Sequence, residues 1–369
     1  MGLFNTVRLK DVEAGRNNNL NLIRLVLASS VIFSHSYAAL NFNHSYGPMD
    51  PMNEPMMRIL RFGASAGDIA VFSFFFISGY LILKSALHRT DPPTFLSSRV
   101  LRIFPGLCVS ILLSAFVIGP IFTTLPVSEY FRTTQTYHYL LTCFLNHGAG
   151  LGLPGLFKQN AIAEVNIPIW TLSSEWSMYM LTLLACLAFR WKTVTSKLSL
   201  SSWIALGVAL LLTLQMLPLP LKFGYKWMLF FIVGSSVYLL RDYVLLSFSV
   251  ALPAFLIDLA LIRFVPILGK SAFPFALCYL ILVLGFHPAL HANWFHRFGD
   301  FSYGIYIFGW PIQQILAPHF TVPLHLSLAS YPIILCVAML SWYFVESPSL
   351  SLKKRTQSKR TTAPVPAAS

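Results

Sequence analysis

Residues 21–40, NLIRLVLASSVIFSHSYAAL, read as one membrane-spanning helix, yet two members of the run do not suit hydrocarbon. Arg24 carries a permanent charge and His35 an imidazole, and ionisable groups inside a span are costly and usually functional. At about 100° per residue, the step of eleven residues from one to the other brings both side chains to nearly one face, roughly 16 Å apart along the axis. A snorkelling arginine or a packed core histidine explains either alone. The pair on one face asks for a shared purpose.

The whole chain fits this setting. It is 56% hydrophobic and 11% charged over 369 residues, less than half the charge of a soluble domain. Apolar runs near 20–40, 68–88, 101–122, 168–190, 201–219, 225–241, 244–262, 271–287, 301–318 and 326–346 approach the length needed to cross a bilayer. The expected fold is all-α and polytopic, with about ten transmembrane helices and both termini cytoplasmic. YHYLLTCFL, 137–145, is too short to cross and falls in a long loop, 123–167, as an interfacial or re-entrant piece.

Charge supports this count. The net charge of +13 gathers at the ends of apolar runs, which signals membrane orientation and not nucleic acid. Ten spans place Arg8, Lys10, Arg16, Arg89, Arg99, Arg190, Lys192, Lys197, Arg297 and the tail on the cytoplasmic side. Arg58, Arg61, Lys158, Lys222 and Lys270 stay opposite. An eleventh span at 137–145 would move the Arg190–Lys197 cluster outside. The chain divides into an N-terminal cytoplasmic segment 1–19, a membrane domain 20–348 and a basic tail 349–369, whose KKRTQSKR suits anionic headgroups. The first run lacks an A-x-A cleavage site and reads as a retained span.

Other polar positions are candidates. Asp68 opens the second span, and Ser78-Gly79 lie toward its inner end, where glycine allows close approach of a helix or a ligand. Arg99 and Arg102, three apart, share a helix face and form either topological anchors or an anion clamp. Glu175 lies about 10 Å into the fourth span and His35 about 8 Å from the same surface, so the two are expected to meet. Asp258, in FLIDLALI, has no motif around it. The five cysteines are scattered, without CxxC spacing, and read as buried apolar residues. His287, His291 and His296 make a poor zinc site in a predicted loop, so no metal is expected.

Arg24 and His35 with ten residues between them, FSFFFISGYLI, RVLR, PIWTLSSEWSMYM, FSYGIYIFGWPI and YFVESP occur in one order. In this the chain resembles the acyltransferase-3 family of bacterial integral-membrane acyltransferases, from about 18 to 348. The resemblance implies transfer of an acyl group, most often acetyl, from a cytoplasmic coenzyme A thioester to hydroxyls of surface or exported carbohydrate. It implies a place in the bacterial cytoplasmic (inner) membrane, with acetyl-CoA or another acyl-CoA as co-substrate and no permanently bound cofactor. It makes Arg24 and His35 the essential pair, Arg99 and Arg102 the basic motif, and Glu175 the acid of the W-S-L-x-x-E segment. Gly309 departs from the pattern, since many relatives carry histidine there.

Together these readings put Arg24, Arg99 and Arg102 at an electropositive mouth for the coenzyme A phosphates, with Ser78 and Gly79 along the pantetheine path. His35 is the general base, or the nucleophile of an acyl-imidazole, and Glu175 orients it or activates the acceptor itself. The competing class is a secondary transporter or flippase, whose usual inverted repeat is not evident here. Cysteine-accessibility labelling tests the orientation: positions 134 and 158 should label from outside, and 197 and 354 from inside. A 123–167 loop divided between the two faces defeats the ten-span arrangement.

Overall fold

The computed structural model describes residues 2, 4–15, 18–40, 64–88, 91–146, 148, 150–192, 224–292, 294–295 and 298–352. The expected span at 201–219 lies outside them, as do Arg16, Arg58, Arg61, Arg89, Lys197, Lys222, His296, Arg297 and the tail from 353. Helix α1 is Leu20–Leu40, α2 Ala66–His88, α3 Pro92–Phe122 and α4 Trp170–Lys192. Then follow α5 Gly224–Leu239, α6 Phe248–Phe264, α7 Pro266–Phe286, α8 Ser302–Leu316 and α9 Pro323–Leu352. Among the described residues α1, α2, α3, α7 and α9 are long and apolar enough to cross a membrane. This is a helical membrane protein.

Local chemistry sets the helix starts. Asp91 caps α3 by accepting from the Thr94 backbone N–H at 2.9 Å, and Pro92 and Pro93 fill the first turn, where no N–H is missed. The helix therefore begins nine residues before the apolar run expected at 101. Within α3 the backbone widens into a π-turn at Ser114–Ile118. There the Tyr130 hydroxyl donates to the Ala115 carbonyl at 2.7 Å, and Gly119 leaves room for that ring. The 137–145 stretch forms a short helical turn and a 3-10 turn, Tyr139–Phe144, which packs on α3.

Helix α1 packs against α2, α8 and α9, while α2 makes its broadest contact with α5, and α6 with α7 forms a hairpin. Two glycines bring α2 and α5 together. A Cβ on Gly79 would stand 1.9 Å from the Phe231 carbonyl oxygen, and one on Gly234 2.1 Å from that of Phe76. The N-terminal segment is held to the same bundle. Val7–Arg8 pairs antiparallel with Leu245–Leu246, and the Glu13 carboxylate takes Lys84 at 2.9 Å, Arg241 at 3.0 Å and the Tyr80 hydroxyl.

A non-helical segment enters the bundle ahead of α4. Gln314 donates to the carbonyls of Ile162 and Glu164 at 2.7 and 2.9 Å, and Trp310 Nε1 donates to Glu164 at 2.9 Å. Asn166 reaches the Ile307 carbonyl in the middle of α8 at 2.8 Å. Irregular backbone at such depth survives only when protein groups satisfy it.

Gly79→Ala and Gly234→Ala should each lower stability by about 1–3 kcal/mol, since neither backbone neighbour can move aside as a flexible side chain would. Thermal melting of the detergent-solubilised protein measures this. Unchanged melting for both would mean that α2 and α5 part freely.

Candidate active site

Three helices meet around one carboxylate. Arg24 of α1 donates through Nη1 to Asp300 Oδ2 at 2.7 Å, and Arg102 of α3 donates through Nη2 to the same oxygen at 2.5 Å. Asp300 precedes α8, and its Oδ1 accepts from the Ser302 hydroxyl at 2.5 Å and backbone N–H at 3.3 Å. Burial alone would raise this carboxyl. The two guanidinium charges, with the Ser302 and Arg102 hydrogen bonds, outweigh it and hold Asp300 well below the ordinary carboxylate range. Arg102 also lies 5.9 Å from the Tyr303 ring centre. Arg99 donates to the Ser85 hydroxyl at 3.1 Å, between the rings of Phe95 and Tyr179 at 5.6 and 5.7 Å.

Glu175 lies beside this cluster. Its Oε1 accepts from the Ser78 hydroxyl at 3.1 Å and from the hydroxyl of Tyr179, one turn along α4. Two cavities converge there, sharing Arg24, Ser78, Glu175 and Tyr303 as walls. One is basic, with Arg99 and Arg102 in its lining. The other is mostly apolar, walled by Val71, Phe74, Phe75 and Leu172, with Thr171 and Tyr306 as hydroxyl-bearing members. Thr171 and Tyr306 join at 2.5 Å, and Tyr306 also donates to the Pro168 carbonyl.

His35 is buried further along α1, edge-on to Trp310 with ring centres 5.3 Å apart, and its Nδ1 has no hydrogen-bond partner among the described residues. It lines neither cavity. Helix α2 runs antiparallel to α1: Gly67 abuts Ser34, while Ser78 shares the cavity walls with Arg24. Val71 lies one turn from Gly67, so the apolar cavity rises to within roughly 6 Å of the His35 level.

The expected meeting of His35 and Glu175 is therefore corrected. Counting inward from the start of α4 assumed that the helix begins at the membrane surface. The segment before it is already sunk, with Asn166 at the level of Ile307. Nine more residues carry Glu175 past His35 to the arginines.

Two further assignments change. Gly79 faces α5 and accepts at its carbonyl from Ser235 at 3.1 Å, so it is a packing residue and not part of a donor path. Ser78, about 100° around the helix, is the member that faces the cavities. Asp68 forms a reciprocal cap with Ser65: its carboxylate accepts from the Ser65 N–H and hydroxyl, both at 2.9 Å, and its own N–H donates to Ser65 Oγ at 3.0 Å. Asp68 thus serves as a helix-start residue.

His287 and His291 bond backbone carbonyls of Asn5 and Phe286. Asp258 is buried, with neither carboxylate oxygen hydrogen-bonded among the described residues. At Gly309, Ile32 fills the space a side chain would need, 2.1 Å from a Cβ built there. Sequence reasoning missed Asp300, Tyr179, Tyr303 and the buried Glu346, which accepts from Ser341 at 2.9 Å. The acids beside FSYG and at the end of YFVE stand out in the sequence as charges at the edges of apolar runs. Their partners do not.

A basic cavity joined to an apolar one inside a helical membrane bundle suits an enzyme handling an anionic substrate with an uncharged arm. The acyltransferase domain of the acyltransferase-3 family matches residues 17–346. The chain belongs to this family and is an acyltransferase. It is similar to an O-acetyl transferase of Shigella phage Sf6, 28% identical over 368 residues, 91% of this chain and 99% of that protein. It is also similar to nodulation protein 10 of Rhizobium leguminosarum bv. viciae, 30% identical over 205 residues, 52% of each chain. No solved structure matches.

Because His35 and Glu175 do not touch, the stability losses of His35→Ala and Glu175→Gln should add to within about 0.5 kcal/mol. Thermal unfolding of both single variants and the double variant measures this. A coupling above about 1 kcal/mol would show a direct partnership.

Proposed function

We propose that the protein moves an acyl group, acetyl by preference, from cytoplasmic acyl-coenzyme A to a hydroxyl of an exported or surface carbohydrate. In this reading it spans the bacterial inner membrane about ten times, with both termini and the arginine cluster at the cytoplasmic face. The observation that carries it is the junction of the two cavities at Arg24, Ser78, Glu175 and Tyr303. The basic cavity suits phosphates, since guanidinium forks stay charged in any surroundings. The narrower apolar one suits a pantetheine arm.

The arm then delivers the thioester toward His35. His35 Nδ1, without a hydrogen-bond partner among the described residues, accepts the proton of the attacking hydroxyl while that oxygen bonds the thioester carbon. The carbon–sulfur bond breaks, the coenzyme leaves as its thiolate, and His35 returns the proton to it. Glu175 lies too near the arginines to orient His35. It anchors Ser78 and Tyr179 at the junction, where it positions the donor. The O-acetyl transferase relative supports an oxygen acceptor.

Purified protein with labelled acetyl-coenzyme A and membrane carbohydrate should transfer label to an alkali-labile ester. His35→Ala should abolish transfer yet retain donor binding, whereas Arg99→Ala and Arg102→Ala should weaken donor binding about tenfold. Arg102→Lys should recover only part, because an ammonium lacks the planar fork. Near-normal transfer by well-inserted His35→Ala protein would remove His35 from the chemistry. Unchanged donor affinity in both arginine variants would reduce those residues to anchors.

A further inference from the structure

We infer that Asp300 is a positioning residue for the acyl donor, holding the Arg24 and Arg102 guanidiniums in one fixed fork toward the donor phosphates. The inference rests on the donor reading above and assigns a role to a residue outside the family motifs quoted from the sequence. Asp300 lines neither cavity, whereas Arg24 lines both and Arg102 lines the basic one. The carboxylate thus stands behind the arginines as seen from the ligand space.

Its own capacity is taken up by protein. Oδ2 receives both arginines, at 2.7 and 2.5 Å, and Oδ1 receives the Ser302 hydroxyl and N–H. Each arginine spends a single terminal nitrogen on this contact, and a guanidinium has five N–H donors. Among the described residues nothing else takes the remainder, which stay available to an anion. Without the carboxylate, two like charges on separate helices would repel and lose a common orientation. Asp300 is itself fixed by Ser302 at the start of α8, so the fork is referenced to that helix.

The test compares two probes on purified full-length protein: acetyl-coenzyme A and S-acetylpantetheine, which has the same thioester arm without phosphates. Asp300→Asn should weaken acetyl-coenzyme A binding by about tenfold or more and leave S-acetylpantetheine unchanged, because only charge-assisted phosphate contacts depend on the fork. Asp300→Glu, which keeps the charge one methylene further out, should restore part of the affinity. Combining Asp300→Asn with Arg102→Ala should cost clearly less than the two separate losses added, the remainder being the share of Arg24. Equal acetyl-coenzyme A affinity in wild type and Asp300→Asn would overturn the inference while the donor reading stood. Equal loss of both probes in folded Asp300→Asn protein would also overturn it, since that marks a general structural role. If Asp300→Asn fails to fold, Asp300→Glu decides: selective loss for acetyl-coenzyme A supports the fork, and an equal change for both probes, or none, refutes it. Wild-type protein that binds neither probe would instead sink the donor reading itself.

Discussion

Two guanidiniums held against one carboxylate oxygen inside a membrane protein impose the arrangement around them. Two like charges about 4 Å apart repel by roughly 4 kcal/mol even at an effective dielectric near 20, so Arg24 and Arg102 cannot be neighbours without a shared counter-charge. Asp300 supplies it, and Ser302 holds Asp300. Buried ion pairs seldom add net stability, because desolvation offsets the attraction. What this one contributes is registry. It fixes α1, α3 and the start of α8 to a common point, and the cavities open beside that point.

The second constraint is the sunken segment before α4. Trp310, Gln314 and Asn166 provide hydrogen bonds that let irregular backbone lie where hydrocarbon surroundings would forbid it. This segment sets the depth of Glu175. With it, an acid that would otherwise stand level with His35 comes to rest beside Ser78 and the arginines. Charge therefore gathers at one end, and the His35 imidazole, packed on Trp310, stands at the other.

Small residues hold α2, whose Ser78 lines both cavities, against α5. Gly79 and Gly234 let α2 and α5 touch backbone to backbone, the route by which membrane helices gain van der Waals contact when apolar burial offers little. With that contact made, Ser78 on the adjacent face is presented to the cavities. Gly79 and Ser78 are neighbours in the chain and differ in purpose because a helix turns by about 100° between them.

The sequence by itself determined the helical membrane class, most helix positions and the family, since each depends on local hydropathy and on motifs in order. It also marked Arg24, Arg99, Arg102, His35 and Glu175 as improbable in hydrocarbon and therefore worth explaining. Asp68 and Gly79 stood out equally, and nothing local distinguished a capping carboxylate or a packing glycine from a ligand contact. Only the tertiary structure decided that Asp300 joins Arg24 and Arg102, and that Glu175 keeps company with them and not with His35. The physical reason is that ion-pair partners 198 and 276 residues apart in the chain, and the depth of a helix that starts inside the bundle, are set by contacts between helices, which no local spacing encodes.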